Sequence, residues 1–295
     1  MLACPDCLPC LARNAVELAR RSARGDAALE ARIASEGMRI LADAAAEGFA
    51  LPPPCYARRL IDNALASCGG AVPDPWVKEK ADSTELAKRL MKNAENSPAS
   101  FERSLRLSIA GNILDFSIYA DLDIAAAMEK MDEAFTKPID EAAVAALQRR
   151  MDSARSILWI FDNCGEAVFD RPLMEPYRAK VTLAVRGRPA FNDMTRAELA
   201  ASGYPEGWAG GGVVSNDDGV PGVVDATCGE AFRAAFAAAD LVVAKGQANF
   251  ETMSERGDKP IAFLFLAKCP VVCRAIGAEP GTIQVRLHNV PDLHP

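Results

Sequence analysis

No apolar run in these 295 residues approaches the roughly 20 needed to span a bilayer, and the opening "MLACPDCLPC" lacks the charged and apolar regions of a secretory signal. No membrane partner is expected, and the expected compartment is the cytoplasm. A cationic excess is also missing. Lys and Arg number 33 against 40 Asp and Glu, for a formal net charge of −7. No nucleic-acid partner is expected either, because phosphate backbones are held mainly by basic side chains. An anion bound here needs a local cation. Histidine is scarce: His288 and His294 both fall in the last eight residues, where a mobile or surface tail is expected. There is no internal repeat and no long low-complexity segment.

Half of the chain is apolar, enough to bury one large core or two smaller ones. Nine cysteines are scattered along it, so reduced thiols or a metal site are expected rather than a disulfide framework. Before residue 150, stretches such as "NAVELARRSARGDAALEARIASEGMRILADAAAEGF" carry apolar residues at three- and four-residue intervals, which predicts helices. "LPPPC" at 51 to 55 breaks one helix before the next begins, and a further helix is predicted from about Asp140 to Ser153. After residue 155 come short, continuously apolar runs: "ILWIF", "VTLAV", "GGVV", "LVVA" and "IAFLFL". Such runs suit strands covered on both faces, as in parallel sheets. "MTRAELAASG" and "GEAFRAAFAAA" are predicted as crossover helices. The tryptophans are expected in the core. The predicted fold is α/β, a three-layer α/β/α domain with a mainly parallel sheet, spanning 111–295. A mainly helical region, 1–110, precedes it.

In open parallel sheets, ligands bind beyond the carboxyl ends of the strands. Three strands here end in polar residues: "ILWIF" delivers Asp162 and Asn163, "VTLAV" leads through "RGRPAFND" to Asn192 and Asp193, and "DLVVA" delivers Lys245. Oxygen donors of this kind suit Mg²⁺, Mn²⁺ and similar cations, and a lysine beside them suits a phosphate. Taken singly, each pair also fits a turn or helix cap, and Arg186 and Arg188 are compatible with plain surface charge. A haloacid-dehalogenase-type phosphatase requires a second aspartate two positions after the first. Position 164 is cysteine, whose thiol cannot serve as that acid.

"GNILDF" at 111, "FDNCGEAVFD" at 161, "RGRPAFNDMT" at 186, "DLVVAKGQANFETM" at 240 and "LAKCPVV" at 266 resemble, in order, the motifs of the metal-dependent damage-control phosphatases. This family is also called the acidic-residue-methyltransferase-like metal-binding domain family, and "CPDCLPC" resembles the amino-terminal motif of its prokaryotic branch. The resemblance implies one divalent cation (Mn²⁺, Co²⁺, Ni²⁺ or Mg²⁺) held by Asp162, Asn163 and Asp193, with Lys245 facing the substrate phosphate. It implies that Asn112 and Asp115 line the same cleft, with Glu166, Asn192 and Asn249 contributing to substrate binding or loop order. Val223 stands where the family has threonine. The implied partner is a small phosphorylated metabolite, such as a sugar phosphate or a damaged cofactor precursor. The implied nucleophile is a metal-bound water, with Asp162 or Asp193 as alternatives for its deprotonation.

Two other readings come from different residues. An S-adenosylmethionine-dependent carboxyl methyltransferase would need a glycine-rich turn, for which "GWAGGGVV" at 207 to 214 is the nearest match. Cys4, Cys7 and Cys10 have the two-residue spacing of metal-ligating or redox cysteines, and on a helix would fall along one face. Cys164 and the remaining cysteines are expected to be structural.

Overall fold

Helices come first in the chain: α1 (Leu8–Ala23), α2 (Ala27–Ala46), α3 (Pro53–Ser67), α4 (Val77–Ala94) and α5 (Phe101–Ala110). The computed structural model describes residues 1–69, 74–94, 100–111, 129, 131, 133 and 135–290. Asp26 starts α2 by accepting the Ala28 and Leu29 N–H groups, two of the donors a helix start leaves without partners. α2 ends at Ala46, ahead of the proline run, and the run instead begins α3, where a missing N–H costs nothing. α1, α2 and α3 pack through Ala15, Leu18, Ile33, Leu41, Leu60 and Ile61. α6 (Glu141–Ser153), capped by Asp140, leads into the sheet.

The six strands are β1 (Ile157–Ile160), β2 (Val181–Val185), β3 (Val213–Ser215), β4 (Leu241–Lys245), β5 (Ile261–Leu266) and β6 (Ile283–His288), in the order β3-β2-β1-β4-β5-β6. All pairs are parallel except β5 with β6. Alternate residues feed two separate cores. Ile157, Trp159, Leu183, Val243 and Leu264 face one, with Leu105, Leu147 and Met174. Leu158, Ile160, Ala184, Val242 and Phe263 face the other, with Phe232, Phe250 and Val272. The strands read as continuously apolar because both faces are covered. The helices of the outer layers that follow are α7 (Cys164–Met174), α8 (Glu230–Ala238), α9 (Gln247–Met253) and α10 (Pro270–Ile276). Among the described residues, no helix is long and apolar enough to cross a membrane.

Several expectations change. "MTRAELAASG" holds only a short 3-10 turn, Arg196–Glu198, because Thr195 and Glu198 form a capping box and the chain then turns. β6 was not predicted: "IQVRLH" alternates like an edge strand and lacks the apolar run of its neighbours. His288 lies in that strand rather than a tail, with Nδ1 3.1 Å from Ser254 O and its ring against Phe263. His294 lies outside the described residues. Trp76, Trp159 and Trp208 are buried.

Candidate active site

β1 sits between β2 and β4, so the strand order reverses there and a crevice opens at the carboxyl ends. Asp162 and Asn163 leave β1 at this point, and α7 starts immediately, with Asn163 as its cap residue but without a side-chain cap bond. The loop after β2 folds back over them. Met194 N–H donates to Asp162 O at 2.8 Å and Cys164 N–H to Asn192 O at 3.0 Å, making an isolated antiparallel bridge between Asn163 and Asp193. Two carboxylates and an amide are thereby fixed through the backbone. Asn163 Nδ2 donates to Asp162 Oδ2 at 2.9 Å and reaches Glu166 Oε2 at 3.5 Å.

Gly246 supplies the third wall. Its φ is +81°, and a Cβ there would lie 2.0 Å from Asp162 Oδ2. The lysine–glycine step at the end of β4 can therefore approach the aspartate only without a side chain. Gly111, after α5, also lies close against α7: a Cβ would meet Phe169 Cδ2 at 2.8 Å and Glu166 Cα at 3.0 Å.

Lys245 is fully buried and commits all three ammonium donors to protein acceptors. Nζ donates to Ser108 O at 3.0 Å, to Asp170 Oδ1 at 2.5 Å and to Glu166 Oε1. The lysine expected to face a phosphate is thus engaged on every donor. Asp170 Oδ1 also accepts from Ser108 Oγ at 2.6 Å, while Oδ2 is buried without a partner among the described residues. Asn249 does not point at the cleft through its amide. Its Nδ2 donates to Lys245 O at 2.7 Å and to Phe161 O at 3.3 Å, so it ties the ends of β1 and β4 together. Asn192 is half-buried and enters the site through its backbone carbonyl. Asn112 and Asp115 lie outside the described residues.

Arg186 corrects the surface-charge reading. It is buried, with Nε donating to Asp193 Oδ2 at 2.7 Å, Nη1 to Gly222 O at 2.9 Å and Nη2 to Asn249 Oδ1 at 3.3 Å. One guanidinium joins the loop after β2, the loop after β3 and α9. Val223 is buried in the core, and its N–H donates to Thr252 Oγ1 at 3.0 Å. Arg58 of α3 donates to Pro189 O at 3.1 Å and Gly219 O at 3.2 Å, attaching the helical region to the same loops. Cys164 is buried, and burial holds its thiol well above the usual range.

Asp170 and Ser108 were not singled out from the sequence, and Arg186 was read there only as compatible with surface charge. Asn163, Glu166 and Asp170 are spaced three and four apart, which places them on one helical face; that spacing was a usable signal for Asp170. Nothing in the sequence marks Arg186 as buried.

The cluster holds more negative than positive charge. Asp162, Glu166, Asp170 and Asp193 are buried beside the buried cations Arg186 and Lys245. Lys80, also buried, is occupied by Asp74 and Glu198. Burial, then repulsion from Glu166 and Asp193, pushes the Asp162 carboxyl well above the ordinary range. Burial also raises Asp193, against the opposing pull of Arg186, and lifts Asp170 to about 6 despite Lys245. For Lys245, burial lowers the pKa, but Asp170 and Glu166 outweigh it and the net shift is upward. Carboxylates held this way favour either a proton or a cation. Two carboxylates with an amide match the hard oxygen donors a small dication takes, and the surplus charge fits it. Among the described residues, no cluster of three His, Cys, Asp or Glu is preassembled for a metal.

The glycine-rich "GWAGGGVV" lies at the opposite edge of the sheet. Gly210 N–H donates to Arg178 O at 2.8 Å and Gly211 N–H to Val181 O at 2.9 Å, at the amino end of β2. It is a packing feature, away from the crevice.

The profile of the damage-control phosphatase ARMT1-like domain matches residues 3–283. The damage-control phosphatase PH1575 of Pyrococcus horikoshii is 35% identical over 218 residues, covering 71% of this chain and 73% of that protein. A damage-control phosphatase of Archaeoglobus fulgidus is 30% identical over 225 residues, covering 73% of this chain and 76% of that protein. The crystal structure of PH1575, described as a DUF89 family protein, superposes with a TM-score of 0.87 at 28% identity, over 98% of this chain and 99% of that one.

Proposed function

The chain belongs to the damage-control phosphatase ARMT1-like family, and from that membership we propose that it is a divalent-metal-dependent phosphatase of small phosphorylated metabolites, sugar phosphates or damaged cofactor precursors among them. The observation that supports this most is the backbone bridge that joins Asn163 to Asp193 beside Asp162, at the strand-order reversal and amid surplus negative charge.

Asp162, Asn163 and Asp193 would hold the cation. When bound, a divalent ion supplies Lewis acidity, polarising a phosphoryl oxygen and lowering the pKa of a water. The chain's own residues do the rest by placement and charge. Arg186 commits Asp193 Oδ2, which fixes the carboxylate plane and leaves Oδ1 as the oxygen on offer. Glu166 and Asp170 hold the Lys245 ammonium in a dry site. A phosphate contact by Lys245 requires it to exchange one of these partners for a phosphoryl oxygen. Asn249 keeps the lysine backbone against β1 during that exchange. Glu166 and Asn192 line the substrate side of the cleft.

The test is a panel of phosphorylated metabolites assayed for phosphate release with chelated protein, then with Mn²⁺, Co²⁺, Ni²⁺ and Mg²⁺ supplied singly. Release is expected only with an added ion, and not from Asp162→Ala or Asp193→Ala. Undiminished hydrolysis after exhaustive chelation overturns the reading.

A further inference from the structure

The cysteine-rich start takes no part in the site at the strand ends, and its three cysteines do not share one helical face. Cys4 is extended and caps a 3-10 turn, Pro5–Cys7, and α1 begins only at Leu8. Cys7 N–H closes the turn on Cys4 O at 2.9 Å, and the two Sγ atoms lie 3.9 Å apart. First and fourth residues of such a turn have Cα atoms within about 7 Å, which overlaps the roughly 4.4–6.8 Å that a disulfide spans. Pro5 and Pro9 occupy the starts of the turn and of α1, where they restrict the backbone without removing a needed donor. Side-chain rotation at Cys4, outside the helix, is then the movement that brings the sulfurs to bonding distance.

The two thiols differ in surroundings. Cys4 is half-buried and Cys7 buried, with burial pushing the Cys7 thiol up to about 11. Cys4 is the more exposed of the two and Cys7 the more buried, the order needed for attack and then resolution. The segment is anchored to the catalytic half of the chain: the Met1 ammonium donates to Glu251 O at 2.8 Å, on α9, which begins two residues after Lys245.

We propose that Cys4 and Cys7 form a reversible dithiol–disulfide site that exchanges with low-molecular-weight disulfides. The Cys4 thiolate attacks one sulfur of the external disulfide, forming a mixed disulfide and releasing one thiolate. Cys7 gives its proton to solvent and attacks Cys4 Sγ, and the second external thiolate leaves. Two protein thiols become one disulfide, and the external disulfide is reduced to two thiols.

The test equilibrates the reduced full-length protein anaerobically with oxidised glutathione, traps remaining thiols with N-ethylmaleimide and maps the tryptic peptide ending at Arg13. The expected peptide lacks two hydrogens and carries the maleimide on Cys10 alone; dithiothreitol restores alkylation of all three. Cys10→Ser is expected to leave the disulfide intact, and Cys7→Ser to accumulate a glutathione adduct at Cys4. Full alkylation of Cys4 and Cys7 at excess oxidant, while the urea-unfolded chain oxidises, overturns the proposal. So does a disulfide mapped to Cys7 and Cys10, or bound zinc that shields all three thiols from both reagents. The mapping on unaltered protein stands even if a variant fails to fold.

Discussion

Arg186 Nε lies 2.7 Å from Asp193 Oδ2, and both groups are buried. The guanidinium also reaches Gly222 O and Asn249 Oδ1, so it holds two loops and α9 with one charge. Removing one partner of such a pair strands the other, at a cost of about 3–5 kcal/mol. Arg186→Met is expected to lose about that much in urea denaturation and to bind a divalent ion roughly 10–100-fold more weakly in calorimetric titration. Arg186→Lys, which keeps the charge but loses the fork, should fall between. Wild-type stability in Arg186→Met would show that the pair contributes nothing net.

Gly246 and Gly212 both have positive φ, +81° and +75°, but Gly246 also has ψ 158°, a conformation essentially confined to glycine, and their surroundings differ. A Cβ at Gly212 meets nothing within 4 Å, whereas one at Gly246 meets Asp162 Oδ2 at 2.0 Å. Gly212→Ala is therefore expected to cost only the left-handed backbone penalty, about 1–2 kcal/mol. Gly246→Ala must also displace the aspartate, so it should be markedly less stable and lose metal binding. Equal thermal midpoints for the two variants would rule out close approach as the reason for the glycine.

Apolar runs made β1, β2, β4 and β5 legible, because strands covered on both faces have no polar positions to interrupt them. β6 was not legible: at the sheet edge its sequence alternates apolar and polar residues, and Gln284 and Arg286 break the apolar run. The place of Asp162 could be read from the end of β1, since sheet topology fixes where that end goes, whereas Asp193 sits on the loop after β2 that folds back over it. The burial of Arg186 could not, because it depends on a loop folding back over the strand that delivers the residue. Lys245 was legible as a position but not in its partners, two of which come from α7 and one from α5.

Asp162 is a buried carboxylate repelled by Glu166 and Asp193. Without metal, Asp162→Asn removes that repulsion and is expected to raise the thermal midpoint. With a divalent ion at 100 times its dissociation constant, the wild type should gain about 2.7 kcal/mol, and the variant little. A variant that is less stable without metal, or that gains as much from it, would count against Asp162 as a ligand.

Glu251 is buried on α9, and burial lifts it to about 7, with Gln247 and the Met1 ammonium only partly opposing. Its unfolded value is about 4.3, so between the two the folded chain binds more protons and stability falls as pH rises. The full effect is on the order of 4 kcal/mol. Asp170, at about 6, acts in the same direction over an overlapping window. Glu251→Gln is expected to flatten, not abolish, the decline between about pH 4.5 and 7, as read by denaturation at each pH. An unchanged slope would remove Glu251 as a source.

Lys245 presents two separable roles, and one pair of variants tells them apart. Its ammonium neutralises Glu166 and Asp170, so Lys245→Met leaves two buried carboxylates facing each other and should cost about 3–5 kcal/mol. The loss should be larger at pH 8 than at pH 5, because protonation relieves the repulsion once the lysine is gone. Adding Asp170→Asn removes one of those charges while keeping an acceptor for Ser108 Oγ, and should recover part of the stability. If Lys245 also binds phosphate, the double variant regains stability but not turnover, with the remaining defect in substrate affinity. Recovery of both together would mean that the lysine is needed only to hold α7 in place.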